Sequence, residues 1–327
     1  MADGTHLDVL NRGLGFEKLA TAGWNTARRL SEIAEEVPSG QSIYLGAALG
    51  DERPSQVFGE HAQYYYEPKA HVLTIADTRT GKGRTKIIPT LCHWEGGLYA
   101  NDVKGDLAGI TARRRGQGGD YSQPMNGDVH VFDPEHIADV PDEYRTKFNP
   151  LDLIDPESDS ALSIAKKIAD GVVIPDPRGL KFWEDKTKQW IDGLLLYAVV
   201  APHLEGKRNL VTVRKLAVAG DEILQAELQA EIDDHNEDIR DYNADLPEGK
   251  RPKKEIPPIS GFDALIKGMK SQREFGGEIK LRAQAFEKTK SERSGIESTV
   301  EQSLAWVGTP QMAEALTVGP YDRTFRP

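Results

Sequence analysis

The sequence predicts an α/β protein in which the first half of a parallel sheet is followed by an all-helical domain. Strand and helix patterns alternate between residues 71 and about 180, an order typical of parallel sheets. Beyond residue 180, helical patterns follow one another without a convincing strand. At 327 residues, the chain exceeds the usual single-core size, so we expect two domains or one domain with a large insertion.

An N-terminal lead of residues 1–70 precedes the sheet. Apolar residues at helical spacing predict one or two amphipathic helices over residues 6–36, and a short strand follows at 42–46. The adjacent tyrosines at residues 64–66 favour a strand packed on a neighbour, with stacking on nucleic-acid bases as the alternative.

The α/β segment of residues 71–180 alternates regularly. Because ligands of parallel sheets bind beyond the carboxyl ends of the strands, we expect the loops after the first two strands to share one face. The predicted elements are strand 71–76, helix 82–93, strand 97–101, helix 105–115, strand 128–133 and helix 159–173.

The all-helical domain covers residues 181–315, and residues 316–327 begin a return to the α/β domain. A charged, proline-rich stretch at 246–258 predicts a solvated linker. Its four basic side chains within residues 250–254 leave contact with DNA phosphates as an alternative. Helices are predicted from Phe182 to about Val199 and at 210–219, 221–243, 260–273, 277–290 and 293–307.

Composition limits the function classes. The chain carries 41 basic and 52 acidic residues, a net charge of −11, which argues against a surface that coats nucleic acid everywhere. The single Cys92 excludes an internal disulfide or a cysteine metal cluster. Neither a long apolar run nor a signal-peptide pattern occurs, so we expect a cytoplasmic chain without a membrane span.

The most informative motif is the sequence ADTRTGKGRT at residues 76–85, directly behind the apolar run HVLTI. A strand, a turn of small residues and a helix start at Lys82 would direct backbone N–H groups and a lysine at phosphates. Ala76 replaces the first glycine of the pattern G-x-x-x-x-G-K-[ST], and Gly83 replaces its hydroxyl, so an exposed basic turn is the alternative. The predicted nucleotide-binding residues are Thr78, Arg79, Thr80, Gly81, Lys82, Gly83 and Arg84.

A second group of candidates follows the second predicted strand. Asp102 could orient Lys82 or a magnesium-bound water, or it could hold its own turn, and Lys104 lies in the same turn. The basic run Arg113, Arg114 and Arg115 could face DNA or a neighbouring subunit. The histidines show no metal-ligand spacing on a predicted helix.

These pieces occur in an order that resembles the TraG/TraD-like coupling ATPases of type IV secretion and conjugation systems. The resemblance covers residues 40 to about 315. The matching segments are HVLTIADTRTGKGRTKIIPTL at 71–91, WEGGLYANDVKGDL at 94–107, TARRR at 111–115, FNPLD at 148–152 and Phe182-Trp183 at the entry to the helical domain.

The resemblance implies a RecA-like P-loop NTPase fold that uses ATP and Mg²⁺. In that fold, backbone amides of residues 78–83 would cradle phosphates and Lys82 would be the catalytic lysine. The resemblance further implies a homo-oligomeric ring, DNA or nucleoprotein as substrate, secretion-channel proteins as partners, and a cytoplasmic location peripheral to the bacterial inner membrane.

Two features of the family are not found in this sequence. Members usually begin with two membrane-spanning helices, and they continue into later strands that end in a catalytic Asp-Glu pair. We therefore expect an N-terminal portion of the fold, and ATP hydrolysis by the chain itself stays open. The alternative function is a non-catalytic nucleotide-binding adaptor derived from the family.

Overall fold

A computed structural model describes residues 40–47, 63–68, 71–75, 77–120, 122–173, 181–247, 250–288 and 293–326. The helices predicted over residues 6–36 lie outside these residues. Contacts divide the chain into two compact units. The first unit contains the described residues up to Val129 together with Ile137–Val140, and the second contains His130–His136 and Pro141–Pro327.

A small antiparallel sheet lies in the first unit. Strand β1 (Ile43–Ala47) pairs with strand β2 (Gln63–Tyr66), which confirms the strand predicted at 42–46. Tyr65 is buried, and its ring lies 5.5 Å from that of Tyr44 and 5.7 Å from that of His93. The tyrosine segment is therefore a packed strand, as its alternation favours.

Two helices complete the described part of this unit. A π-helical turn (Gly83–Ile87) continues into α1 (Ile88–His93), and α2 (Asp106–Arg115) packs against α1. Pro89 explains the wide turn, because it lacks an N–H and its ring would clash with the carbonyl four residues earlier. These elements confirm the helices predicted at 82–93 and 105–115.

The predicted parallel sheet is not formed in the described residues. Residues 71–75 and 97–101 have no strand partner there, and Val131 makes only an isolated parallel bridge with Arg145. A strand needs a neighbour to satisfy its backbone, and the apolar alternation alone cannot supply one. The strand predictions for these segments are corrected accordingly.

The second unit is helical and has one apolar core. Its central helix α4 (Lys181–Val200) is buried on nearly every side from Trp190 to Val199 and packs against α3, α5, α8 and α9. Helices that are apolar all round belong in a core. The other helices are α3 (Ala161–Val172), α5 (Leu210–Ala219), α6 (Glu222–Ala244), α7 (Gly261–Ser271), α8 (Glu278–Lys288), α9 (Arg293–Leu304) and α10 (Pro310–Ala315).

Short 3₁₀ turns connect several of these helices. Each occupies three or four residues, the usual length for this conformation. They are Asp142–Tyr144, Pro150–Leu153, Pro202–Leu204, Phe275–Gly277 and Ala305–Gly308.

A buried aspartate joins three of the helical segments. The Asp221 carboxylate accepts hydrogen bonds from Tyr197 Oη at 2.8 Å and from Leu224 N, the latter bond at the start of α6. His203 Nε2 lies 2.7 Å from the same carboxylate. The side chain that begins α6 therefore also fixes α4 and the following turn.

The end of the chain returns to the segment before α3. Lys147 N donates to Arg323 O at 2.9 Å and Phe325 N donates to Lys147 O at 3.2 Å, which forms a parallel bridge between Lys147 and Thr324. The Phe325 ring lies near those of His130 and Phe148. Parallel pairing thus occurs in this unit as single bridges.

The described residues of the predicted linker are largely exposed but are held against α6. Residues 250–258 are solvent-accessible, yet side chains of α6 hydrogen-bond their backbone.

None of the helices in the described part of the chain is long and apolar enough to cross a bilayer.

Candidate functional site

The candidate site is the loop that precedes the π-helical turn. Arg79 and Gly81 have left-handed backbone conformations, with φ of 65° and 90°. Glycine adopts this region freely, whereas a residue with a Cβ is held there at a cost of about 1–3 kcal/mol. Strained residues of this kind concentrate at ligand-binding loops, so the backbone itself marks the loop as a candidate.

Polar contacts close the loop on itself. The carbonyl of Asp77 accepts hydrogen bonds from Thr80 Oγ1 and from Lys82 Nζ, both at 2.7 Å. The carbonyl of Gly81 accepts from the backbone N and from Oγ1 of Thr85, at 2.8 and 2.9 Å. The Lys82 ammonium group therefore lies over the loop that it follows.

The loop leads directly into a helix and is open to solvent. Residues 77–80 are exposed, and Lys82 stands immediately before the π-helical turn. The first N–H groups of a helix have no intrahelical partner, and the helix dipole favours an anion beside them. A Cβ built on Gly83 would meet nothing within 4 Å. The residues present therefore fit a phosphate group at this position.

A lysine that sequence reasoning missed anchors the loop's helix. Lys86 Nζ donates to the carbonyl of Tyr44 at 3.3 Å and to that of Leu45, so β1 is tied to the π-helical turn. Burial lowers the pKa of Lys86. No sequence signal marks this lysine, because its partners lie more than 40 residues away.

Asp102 has a clear structural task. Its Oδ2 accepts a hydrogen bond from Ala108 N at 2.9 Å and so satisfies a free amide at the start of α2. Gly105, at the end of the same turn, has φ of 73°, and a Cβ there would lie 2.7 Å from the Cα of Ala138. An additional role of Asp102 toward Lys82 or magnesium stays a prediction, as does that of the exposed Lys104.

The basic run at the end of α2 divides into inward and outward residues. Arg115 donates to the carbonyl of Leu91, in the last turn of α1, and to those of Trp94 and Gly96, which follow that helix. Arg114 reaches the carbonyls of Cys92 and Gln123, whereas Arg113 is exposed. Cations at a helix C-terminus stabilise it. A contact with DNA or another subunit stays a prediction, for which Arg113 is the accessible side chain.

The described residues contain no cluster of side chains that could bind Mg²⁺. Within the part of the chain that the structure describes, no group of three or more His, Cys, Asp or Glu side chains could hold a metal ion. The candidate site therefore consists of backbone amides, hydroxyl groups and Lys82, a set suited to phosphate oxygens.

The chain resembles conjugation proteins over much of its length. It is 26% identical to a conjugal transfer protein TraG of Escherichia coli over 170 residues, 52% of this chain and 24% of that protein. A second Escherichia coli conjugal transfer protein TraG is 30% identical over 53% of this chain and 25% of its own length. Protein VirD4 of Agrobacterium fabrum is 38% identical over 26% of this chain and 14% of its own length.

These matches cover a quarter or less of each relative. The family described as Type IV secretory system Conjugative DNA transfer, in contrast, matches residues 17–322, which is nearly the whole chain. The candidate loop, both helices that follow it and all the named helices of the second unit lie inside that match. This chain belongs to the type IV secretory system conjugative DNA transfer family.

Proposed function

We propose that the chain binds ATP with Mg²⁺ at the loop of residues 77–85 and is the nucleotide-binding part of a type IV coupling ATPase. The observation that carries this proposal is the loop geometry. Two left-handed residues, Arg79 and Gly81, shape a turn that ends at Lys82 and at a helix start. Turns of this kind present several N–H groups to one anion.

In this proposal, backbone amides of the loop and the Lys82 side chain together bind the triphosphate. Amides of residues 78–83 donate to phosphate oxygens, and Lys82 exchanges its 2.7 Å bond to the Asp77 carbonyl for a phosphate oxygen. That exchange replaces a neutral acceptor by a charged one, which strengthens the bond. Mg²⁺ bound with the nucleotide would neutralise part of the phosphate charge.

We further propose that this loop belongs to a RecA-like P-loop sheet. Val72, Leu73 and Ile75, in the segment before the loop, are 53, 83 and 85% exposed. Such an apolar run is typical of a parallel strand covered on both faces. Within the second unit, Val131 and Lys147 each make an isolated parallel bridge, which is the kind of pairing that such a sheet uses. In such a sheet, these segments would pair with neighbouring strands.

The proposed role is to bring DNA or a nucleoprotein substrate to a secretion channel, as a member of a homo-oligomeric ring at the cytoplasmic side of the bacterial inner membrane. The family match supports this role. An ATP-dependent ring would require neighbouring subunits to contact one another, for which Arg113 offers an exposed cation.

A non-catalytic nucleotide-binding adaptor is the second candidate. Two acidic residues at the ends of predicted strands, Asp102 and Asp133, have structural partners. Asp102 caps α2 through Ala108 N, and Asp133 pairs with Arg145 at 2.5 Å. A carboxylate already engaged in this way is poorly placed to activate water, which favours binding over turnover.

A titration with a fluorescent ATP analogue and Mg²⁺ tests the binding proposal. We expect Lys82→Ala to weaken binding at least about tenfold, since a hydrogen bond to a charged group contributes about 1.5–3 kcal/mol. Lys207→Ala is the matched control, because Lys207 is an exposed lysine of the helical unit and is not among the predicted site residues. Equal, negligible binding by all three proteins would reject the phosphate-binding loop. Phosphate release measured on the same samples separates the ATPase from the adaptor.

A further inference from the structure

An extended segment of the helical unit is fastened along α6 by side-chain amides. We name residues 250–259 the strap. Asn236 both donates to the carbonyl of Ile256, at 2.9 Å, and accepts from its N–H, at 2.7 Å. Asn243 makes the same pair of bonds with Lys253, at 2.9 and 2.8 Å. Each asparagine therefore makes, with the backbone of one strap residue, the pair of hydrogen bonds that a neighbouring strand would make.

Two glutamines extend this fastening toward the end of the strap. Gln225 Nε2 donates to the carbonyl of Ile259 at 2.9 Å, and Gln229 Oε1 accepts from its N–H at 3.0 Å. At about 100° per residue, these glutamines and the two asparagines lie within about 40° of one another around α6. The strap is thus held in one conformation before any partner arrives, which lowers the entropic cost of binding.

The fastened strap displays a concentrated positive charge. Lys250, Arg251 and Lys254 are exposed. The Lys253 ammonium lies 4.1 Å from the ring centroid of Tyr242, and that ring is itself 44% exposed. In a chain of net charge −11, this cluster of cations beside an accessible aromatic ring is a local exception.

The acidic residues of α6 are largely directed elsewhere. Glu227, Asp234 and Asp241 are exposed and lie about 120° or more around the helix from the amide face. Three acidic side chains lie nearer the strap: Asp238 borders the groove beside Lys253, Asp233 accepts from Gln229 Nε2 at 2.8 Å, and Glu255 of the strap itself pairs with Arg240 at 3.6 Å. The four cations of the strap outnumber its single acidic residue, so a polyanion would be attracted to the strap and repelled by the acidic far side of α6.

We propose that the strap is a docking site for the phosphate backbone of single-stranded nucleic acid. Alternate side chains of an extended segment are about 6.6–7 Å apart, which allows successive cations to reach separate phosphates of a flexible strand. Tyr242 supplies an aromatic face on which a base can stack, a feature of single-strand sites. This proposal is independent of nucleotide binding at Lys82.

Fluorescence anisotropy with a labelled 20-nucleotide thymidine strand tests the docking site. The strap variant carries Lys250→Gln, Arg251→Gln and Lys254→Gln. A variant of equal charge change carries Lys167→Gln, Lys207→Gln and Lys280→Gln, three exposed lysines of the same unit. We expect the strap variant to bind roughly 100-fold more weakly at 0.1 M NaCl, with a salt slope smaller by about 2, because each phosphate contact contributes about 0.7 to that slope.

The control variant should retain affinity close to that of the wild type. Equal losses in both variants would overturn the proposal, since they would reflect overall charge. Binding of a 20-base-pair duplex that is as tight and as dependent on the strap would also overturn it, as would equal competition by polyglutamate. Strap-dependent sedimentation with vesicles of phosphatidylglycerol and phosphatidylcholine, without strand binding, would assign the cations to a membrane surface.

A second variant, Asn236→Ala with Asn243→Ala, tests whether the fastening matters. All strap cations remain, so a fall in strand affinity supports preorganisation, whereas unchanged affinity contradicts it. Circular dichroism checks that α6 is retained. Lys82→Ala should leave strand binding unchanged, and the strap variant should leave binding of the ATP analogue unchanged, so the two sites succeed or fail separately.

Discussion

Replacing Gly105 by alanine should destabilise the start of α2 strongly. An alanine at φ of 73° would occupy the left-handed region, which costs about 1–2 kcal/mol. Its Cβ would lie 2.7 Å from Cα and 2.8 Å from N of Ala138, and this backbone cannot rotate away. Overpacking of this kind costs about 1–3 kcal/mol. We therefore expect a loss of about 2–5 kcal/mol in the first unit.

Amide hydrogen exchange measured along α2 reports the stability of the first unit separately from that of the second. A loss of at least about 2 kcal/mol corresponds to exchange that is at least about 30-fold faster. Gly83→Ala is the control, because its Cβ would meet no atom within 4 Å. Exchange in Gly105→Ala as slow as in the wild type would refute the assignment of Gly105 as a sterically required glycine.

Three further outcomes follow from buried polar groups. Burial, and then the nearby Arg114, lower the pKa of His93 below 6.5, so the unfolded chain binds more protons than the folded chain. The free energy of unfolding should therefore be highest above pH 6.5 and should fall as the pH drops below that value. In urea titrations, His93→Gln should reduce this pH dependence. Burial first, and then the Asp221 charge, raise the pKa of Tyr197; its hydroxyl stays a donor, and Tyr197→Phe should lower unfolding free energy by about 1.5–3 kcal/mol, an unchanged value speaking against the bond. Burial raises the pKa of the Cys92 thiol. Iodoacetamide at pH 8 should therefore modify Cys92 more slowly in the folded chain than in the urea-unfolded chain. Equal rates would contradict the burial of this thiol.

Helices of the second unit could be predicted closely because their signals are local. Helix α5 begins and ends at the predicted residues, Leu210 and Ala219. Asn209, Asp221 and Ser260 each cap the helix that follows through a side-chain oxygen. Such caps and the apolar spacing lie within a few residues of each helix end, so one sequence contains the information.

Features that depend on distant partners were not predictable. The apolar run before the loop indicated a strand, but a strand forms only when another segment pairs with it. Lys86 could not be told from other lysines by sequence, because the carbonyls that it binds belong to β1. Arg115 appeared available to DNA, yet it binds carbonyls at and just after the end of α1. Charge and spacing identify a side chain's chemistry, whereas the fold decides its partner.

The π-helical turn affects the direction of the candidate loop relative to the helix that follows it. A turn that contains one extra residue rotates everything before it by about 100° relative to a regular α-helix. Lys82 lies before that turn and Pro89 lies just after it, so a change at Pro89 that restored a regular helix would also change the direction of the lysine. Substitution of Pro89 by alanine would restore a backbone donor and permit a regular helix. The orientation of the loop would therefore depend on a residue seven positions after Lys82 in the sequence.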